Sequence, residues 1–144
     1  MTCAAGPAAS VASVDELDFW IGDWTCTDPA DGSVGTNSIR RVLAGKVVEE
    51  TFAIVDAQGQ QLRGRSWSVL DADRGWLQTW VDDQGSYLDF TGGMTEEGFV
   101  FGRPGSRMVF RDVKDDSFTW DWQKRVDEAW ELAWRLEYRR ASEG

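Results

Sequence analysis

The stretch GWLQTWVDDQG, residues 75–85, decides the fold class of this chain. Within it, two sets of side chains alternate at every second position. One set is Trp76, Gln78, Trp80 and Asp82, and the other is Leu77, Thr79 and Val81. A period of two is typical of a β-strand that turns one face towards a core or a cavity. Because the Asp-Gln-Gly that ends the stretch is a turn signal, we predict a strand followed by a hairpin turn.

The same pattern of short strands and turns extends in both directions from this stretch. Ten strands are predicted, over residues 20–27, 36–43, 47–55, 62–71, 75–82, 87–91, 98–102, 107–113, 117–123 and 129–139. Many short strands at hairpin spacing are typical of an all-β sandwich or barrel. A helical turn is predicted before them, over residues 14–19, because Ser13 can cap it and Glu16 follows three residues later.

Aromatic side chains also alternate along the last two predicted strands. Phe118, Trp120 and Trp122 fall on one face of the first of these strands. The residues predicted to share a face of the second are Trp130, Leu132, Trp134, Leu136 and Tyr138. One side of each strand must be core or cavity, but alternation alone does not say which side.

Length and composition indicate one globular domain. The chain has 144 residues, of which 42% are hydrophobic, and a domain of that size can bury a core without covalent staples. Residues 1–14 lack the basic start and the strong apolar stretch of a secretory signal, so we predict a flexible leader there and a barrel domain over residues 15–141. Cys3 and Cys26 are expected to be free thiols in a reducing compartment, which indicates a cytoplasmic protein.

Charge and the absence of histidine narrow the range of functions. A net charge of −10 argues against nucleic acid and against anionic membranes as partners. No apolar run approaches the roughly 18 to 20 residues of a membrane-spanning helix. The sequence contains no histidine, which excludes His-based catalytic triads and His-ligated zinc or haem. We therefore expect no metal and no cofactor.

Several segments, in their order and spacing, resemble one bacterial family. They are LDFWIGDW at residues 17–24, NSIRR at 37–41, VVEETF at 47–52, GRS at 64–66, WLQTWVDDQG at 76–85 and LEYRR at 136–140. Together they resemble uncharacterised lipocalin-like, or calycin, proteins, whose first strand carries the Gly-x-Trp matched here by Gly22-Asp23-Trp24. Nitrobindin-like relatives bind haem through a histidine that this chain lacks, so haem binding is not expected.

The resemblance implies an antiparallel up-and-down barrel of about eight to ten strands with one closed end. In such barrels the Gly-x-Trp tryptophan plugs that end and packs on an arginine from a late strand. Here the pair would be Trp24 with Arg135 or Arg139, held by cation–π attraction. This pair has a structural role and is not a binding site.

The family register also implies which side chains face the lumen. The inward set is Asn37, Ile39, Arg41, Glu50, Phe52, Gly64, Ser66, Ser68, Trp76, Gln78, Trp80 and Asp82, with Tyr87 at the rim. Small residues, aromatic rings and a few polar groups are the usual composition of a small-molecule site. The candidate ligand-binding residues are Trp80, Gln78, Trp76, Asn37, Ser66, Ser68, Phe52, Trp120 and Trp122. For the tryptophans, simple core filling is the alternative interpretation.

Arg41 and Glu50 are predicted to face each other on adjacent antiparallel strands as a bidentate ion pair. In a functional interpretation, Arg41 would anchor a carboxylate or carbonyl beside Glu50 as a general acid or base. In the alternative, the pair is an internal salt bridge. A register slip of one residue would place both side chains outside the barrel.

Three functions remain open, and binding of a small, partly aromatic molecule in a Trp-lined lumen ranks first. The second is a cofactor-independent cyclase, isomerase or dehydratase of secondary metabolism, in which Arg41 or Tyr87 polarises a carbonyl and Glu50 or Asp82 moves a proton. The third is an oligomeric interaction module, such as a homodimer that uses the Trp face of the last strands.

Overall fold

A computed structural model describes residues 12–141, which form a closed antiparallel barrel. A 3-10 helix, Val14–Trp20, precedes ten strands. The strands are β1 Gly22–Thr27, β2 Val34–Val42, β3 Val47–Val55, β4 Gln61–Asp71, β5 Gly75–Asp82, β6 Tyr87–Thr95, β7 Gly98–Arg103, β8 Ser106–Arg111, β9 Ser117–Val126 and β10 Ala129–Arg140. Each strand pairs with the next, and β1 pairs with β10. The predicted all-β up-and-down barrel with a short N-terminal helical turn is confirmed.

The 3-10 helix closes one end of the barrel. The predicted capping box is present, since the Asp15 amide donates to Ser13 Oγ at 3.2 Å and the Ser13 amide donates to Glu16 Oε1 at 3.3 Å. The same Glu16 oxygen accepts a hydrogen bond from Trp76 Nε1 at 3.2 Å, which ties the helix to β5. Trp20, the last residue of the helix, is buried. No helix among the described residues is long and apolar enough to cross a membrane.

The predicted leader falls largely outside the described residues. Residues 1–11, which include Cys3, and residues 142–144 are not described. The last part of the predicted leader belongs to the helix instead, because Ser13 is its N-cap and Val14 its first residue.

The opposite end of the barrel is formed by loops and is called the open end here. The chain enters β1 from the helix, so the connections that follow the odd-numbered strands all lie at the far end of the barrel. They comprise residues 28–33, 56–60, 83–86, 104–105 and 127–128. The barrel therefore has a closed end under the helix and an open end between these loops.

Trp24 plugs the closed end, as expected, but its arginine partner is Arg140. The Arg140 guanidinium lies 4.3 Å from the centroid of the Trp24 ring, and the two residues are direct partners in the β1–β10 register. The predicted partners Arg135 and Arg139 are wrong. Arg135 is bound to the Asp121 carboxylate, and Arg139 is exposed. Arg140 has the same parity along β10 as the buried Tyr138, which brings its side chain to the Trp24 side.

Gly22 allows the arginine to approach so closely. Its φ is +135°, a region that residues with a side chain rarely adopt, and a Cβ at this position would lie 2.5 Å from Arg140 Nη1. That nitrogen instead donates to the carbonyl of Ile21 at 2.9 Å. The positive φ thus requires the glycine of the Gly-x-Trp motif, and the end of the Arg140 side chain occupies the space beside it.

A β-bulge divides the aromatic residues of β10 between the two faces of the sheet. The register against β9 shifts between Leu132 and Trp134, with Ala133 as the extra residue. Because a bulge turns the side chains that follow it to the other face, Trp130 and Leu132 lie outside and Trp134 lies inside. The single face predicted for residues 130–138 is therefore wrong.

Candidate functional site

An inner cavity of about 240 Å³ lies inside the barrel between the closed and the open end. Of the fifteen residues that line it, nine are aromatic and two are carboxylic acids. The five tryptophans among them are Trp20, Trp80, Trp120, Trp122 and Trp134. An apolar protein cavity of about 150 Å³ holds one benzene molecule, so this cavity has room for a single substituted ring or a molecule of similar size.

The structure brings most of the predicted site residues into the barrel interior. Those that line the inner cavity are Glu50, Phe52, Trp80, Asp82, Trp120 and Trp122. Those that are buried without lining it are Asn37, Ser66, Ser68, Trp76 and Gln78. Two predicted residues, Arg41 and Tyr87, do not contribute to the cavity wall.

The predicted ion pair between Arg41 and Glu50 is wrong. The Arg41 guanidinium donates to the Asp18 carboxylate and, at 2.9 Å, to the carbonyl of Val14. Arg41 pairs in register with Val48, which lies two residues from Glu50 along β3 towards the closed end. There the 3-10 helix supplies the hydrogen-bond partners of Arg41. Arg41 therefore fastens the helix to the barrel and leaves the carboxyl of Glu50 without a guanidinium.

Tyr87 lies on the outer face of β6 and not at the rim of the lumen. It pairs with Val81, and 66% of its surface is exposed. The next residue, Leu88, lines the inner cavity instead. Since successive side chains of a strand point to opposite faces, the prediction misses the lining residue by one position.

Glu50 is a buried acid in the wall of the inner cavity, with 8% of its surface exposed. Ser66 Oγ donates to its Oε1 at 2.7 Å, and Asn37 Nδ2 donates to its Oε2 at 2.7 Å. Burial raises the pKa of Glu50, although the two hydrogen bonds oppose the shift. Among the residues that the structure describes, no Lys or Arg forms an ion pair with Glu50.

Asn37 connects Glu50 to a hydroxyl on β10. Its Nδ2 also donates to Tyr138 Oη at 2.9 Å. Burial raises the pKa of Tyr138 well above its usual value and raises the pKa of the neighbouring Cys26 thiol to about 12. Tyr138 and Cys26 are therefore neutral near pH 7, and Glu50 is the carboxylic acid of this buried cluster.

Small residues on β4 accommodate a tryptophan and the buried hydrogen bonds. A Cβ on Gly64 would lie 2.1 Å from the ring of Trp80, so the indole occupies the space above the glycine. Ser66 serves Glu50, and Ser68 Oγ accepts a hydrogen bond from Gln78 Nε2 at 3.0 Å. The small residues thus set the position of the cavity wall rather than widening the lumen.

Two indoles near the open end donate to carboxylates. Trp80 Nε1 lies 2.9 Å from Asp82 Oδ2, and Trp134 Nε1 lies 2.9 Å from Asp28 Oδ2. Partial burial works against the charged form of Asp82, but hydrogen bonds from the Trp80 indole and from the Ser86 backbone lower its pKa. Because their N–H groups are already bound, these indoles contribute ring surface to the cavity and no free donor.

A polar space of about 220 Å³, called the outer chamber here, adjoins the inner cavity at the open end. Leu62 and Trp134 line both spaces. Asp28, Asp31 and Asp56 line the outer chamber, and neither Lys nor Arg of the described part of the chain lines it. Within residues 12–141, no group of three or more Asp, Glu, Cys or His side chains is placed to hold a metal ion. The open end thus has an acidic lining.

Several lining residues were missed by the sequence analysis. Leu88 and Phe90 of β6, Met108 of β8 and Trp134 of β10 were not selected as ligand contacts. Met108 pairs directly with Trp122 across β8 and β9, so the strand pairing could have identified it. Trp134 follows the same alternation of side chains as its neighbours on β10. That alternation does not distinguish a tryptophan that lines the cavity from one that is packed in the core.

No protein-family model matches the chain, and no curated protein sequence matches it. A solved structure described as a de novo designed, fluorescence-activating β-barrel is similar, with a TM-score of 0.46 and 16% sequence identity. The match covers 90% of this chain and 100% of that one. Membership of the lipocalin-like family therefore stays a prediction.

Proposed function

We propose that this protein binds one small hydrophobic or aromatic organic molecule in the inner cavity. The observation that carries the proposal is a void of about 240 Å³ in which nine of the fifteen lining residues are aromatic. Protein interiors are otherwise packed as closely as organic crystals, with few voids larger than a water molecule. Rings that border such a void lack contacts on one side, and a bound molecule would restore them.

The composition of the wall suits recognition of a small ligand. Aromatic faces supply dispersion and stacking, while Glu50, Asp82 and Tyr138 could orient a bound molecule. Trp20 also lines the cavity, and its buried Nε1 has no hydrogen-bond partner among the described residues, so it could donate to a ligand. In this proposal the chain is a lipocalin-like carrier or sensor, in keeping with the Gly22-Asp23-Trp24 motif.

A pair of variants on neighbouring residues of β6 tests the proposal. Leu88→Trp would fill the inner cavity from its wall, whereas Tyr87→Trp places the same side chain on the outer face. Binding of the neutral probe 4-fluorobenzyl alcohol, followed by ¹⁹F NMR, is expected to weaken about tenfold or more in Leu88→Trp and to stay unchanged in Tyr87→Trp. Native mass spectrometry of the purified protein would show whether it already retains a molecule.

The folded state of both variants is checked by circular dichroism melting curves. Filling a core position with a larger side chain costs about 1–3 kcal/mol, which a folded barrel can tolerate. If the wild-type protein binds neither the probe nor any retained molecule, or if both variants bind the probe equally well, the inner cavity is not the binding site.

A cofactor-independent enzyme is the second candidate, and the environment of Glu50 favours it. Burial raises the pKa of this cavity-lining acid, so it can hold a proton at a pH where an exposed glutamate cannot, and can donate it to a substrate. Because Arg41 and Tyr87 do not line the cavity, Glu50 and Asp82 are the candidate catalytic groups that remain.

Conversion of a retained compound would distinguish an enzyme from a carrier. The compound is incubated with a small amount of fresh protein and followed by ¹H NMR, which also detects isomers of equal mass. An enzyme predicts conversion by the wild-type protein and its loss in Glu50→Gln, with binding retained. An unchanged compound in the presence of the wild-type protein rejects this candidate.

A further inference from the structure

We propose that the molecule bound in the inner cavity is an organic cation, namely a small amine or quaternary ammonium compound, held between indole rings with Glu50 as its counter-charge. The inference rests on the proposed function, because it assigns the chemical class of the ligand in the same cavity. Three independent features support it: the aromatic rings of the cavity wall, the lack of a basic partner for Glu50 among the described residues, and the negative charge of the open end.

Aromatic rings form most of the cavity wall, and several of them contact one another edge to face. The ring of Trp134 stands at 89° to that of Trp120, with centroids 5.5 Å apart, and at 81° to that of Phe52, with centroids 6.3 Å apart. Ring faces attract cations, and sites lined by several aromatic rings recognise quaternary ammonium groups. Trp80 and Trp134 direct their N–H groups to aspartates, so their contribution to the cavity is ring surface.

Glu50 adds a carboxyl group that the protein itself does not neutralise. Both of its oxygens accept hydrogen bonds from neutral groups, Ser66 Oγ and Asn37 Nδ2, and this pattern of donors suits a carboxylate. Buried charges in proteins are normally paired, because an isolated charge loses its hydration. A cationic ligand would favour the ionised form of Glu50 and serve as its partner, whereas beside a neutral ligand burial would keep Glu50 protonated.

The open end beside the cavity is acidic. The outer chamber presents Asp28, Asp31 and Asp56, and Asp82 lies in the wall of the inner cavity. No Lys or Arg of residues 12–141 lines either space, and the chain as a whole has a net charge of −10. Such surroundings attract cations and repel anions, which favours a cationic ligand over an anionic one.

Binding of a quaternary ammonium ion should depend on pH through Glu50. The ion carries no proton, so its partner must be ionised in the complex, and any proton held by Glu50 has to leave to solvent. The titratable groups that face Glu50 are Tyr138 and Cys26, both neutral in this range, and Asp82 in the same wall is already ionised. Affinity should therefore rise with pH and level off once Glu50 is ionised.

Two molecules of the same shape test the inference. Benzyltrimethylammonium and neopentylbenzene differ in charge because nitrogen replaces one carbon. Both are titrated into the wild-type protein, Glu50→Gln and Glu128→Gln, with tryptophan fluorescence as the readout. Glu128 lies exposed in the loop between β9 and β10, so its variant removes one charge from the open end without touching the cavity.

We expect the cation to bind about tenfold or more tightly than its neutral counterpart, with this preference lost in Glu50→Gln and kept in Glu128→Gln. Equal or tighter binding of neopentylbenzene would overturn the cation inference and leave the proposed function standing. Binding of neither compound would also overturn the cation inference, and the test with 4-fluorobenzyl alcohol would then decide the proposed function separately. If Glu50→Gln does not fold, the wild-type protein still decides: an affinity for the cation that does not rise between about pH 4.5 and about pH 8 overturns the inference.

Discussion

Trp24 at the closed end and Trp80 towards the open end both lie inside the barrel with a bound N–H group, yet only Trp80 borders the inner cavity. The Trp24 ring is covered by Phe118, whose centroid lies 4.8 Å away, and by the Arg140 guanidinium. The Trp80 ring rests on Gly64 and has the cavity beside it. An inward tryptophan thus becomes core or cavity wall according to whether a further element covers its end of the barrel.

The largest test of this comparison is truncation of the two indoles. Trp24→Ala should lower the free energy of unfolding by about 3–5 kcal/mol, because a fully buried ring in close contact leaves a cavity behind. Trp80→Ala should cost about 1–2 kcal/mol, since its ring is half-buried and already adjoins a void. Urea unfolding measures both values. Equal losses would mean that the two ends are packed alike, and Trp24→Phe serves if the alanine variant does not fold.

Arg140 offers a smaller test of the closed end. Besides covering Trp24, its guanidinium donates to the carbonyls of Asp115 at 2.7 Å and of Ile21 at 2.9 Å. Arg140→Ala should therefore cost about 1–2 kcal/mol in unfolding free energy. Arg139→Ala is the matched control, because its side chain is exposed and the change should have little effect. A larger loss of unfolding free energy in Arg139→Ala than in Arg140→Ala would instead identify Arg139, as predicted from sequence, as the arginine that supports Trp24.

The ten strands could be predicted from sequence because each of them turns one face inward. In β3, for example, Glu50, Phe52 and Ile54 are buried while Thr51 and Val55 are exposed, which is the period of two that predicts a strand. The pattern fails where geometry interrupts the period. The bulge at Ala133 changes the face without any change in the spacing of the hydrophobic residues.

The candidate site was harder to predict than the fold, for two physical reasons. Arg41 has the inward parity that the resemblance implied, but it sits where the 3-10 helix offers Asp18 as a closer partner than Glu50. A contact between distant parts of the chain leaves no mark in a strand's alternation. In addition, Leu88 and Met108 read as ordinary core residues, because an empty volume depends on how all the side chains fill the lumen together.

The smallest expected effect concerns Glu50 in the wall of the inner cavity and the pH dependence of the unfolding free energy. Burial raises the pKa of Glu50 in the folded protein. The stability that protonated Glu50 contributes is therefore complete below its pKa in the unfolded chain, about 4.3, and is lost as pH rises through its pKa in the folded protein. The wild-type protein should therefore lose unfolding free energy relative to Glu50→Gln between about pH 4.5 and about pH 8. Asp23, Asp31 and Asp71 have lowered pKa values, so their effect on the pH dependence of stability has the opposite sign. That effect occurs below this pH range, and it cancels when the wild-type protein is compared with Glu50→Gln.

Urea unfolding at a series of pH values measures that difference, with Glu128→Gln as the exposed control whose difference from wild type should stay flat. Repeating the series with saturating benzyltrimethylammonium adds a second constraint. A bound cation favours the ionised form of Glu50, so the loss of stability with pH should shrink or reverse. If Glu50→Gln instead tracks the wild-type protein at every pH, burial does not perturb this carboxyl. Glu50 would then titrate as an exposed glutamate does, and the empty volume alone would distinguish the inner cavity from the closed end.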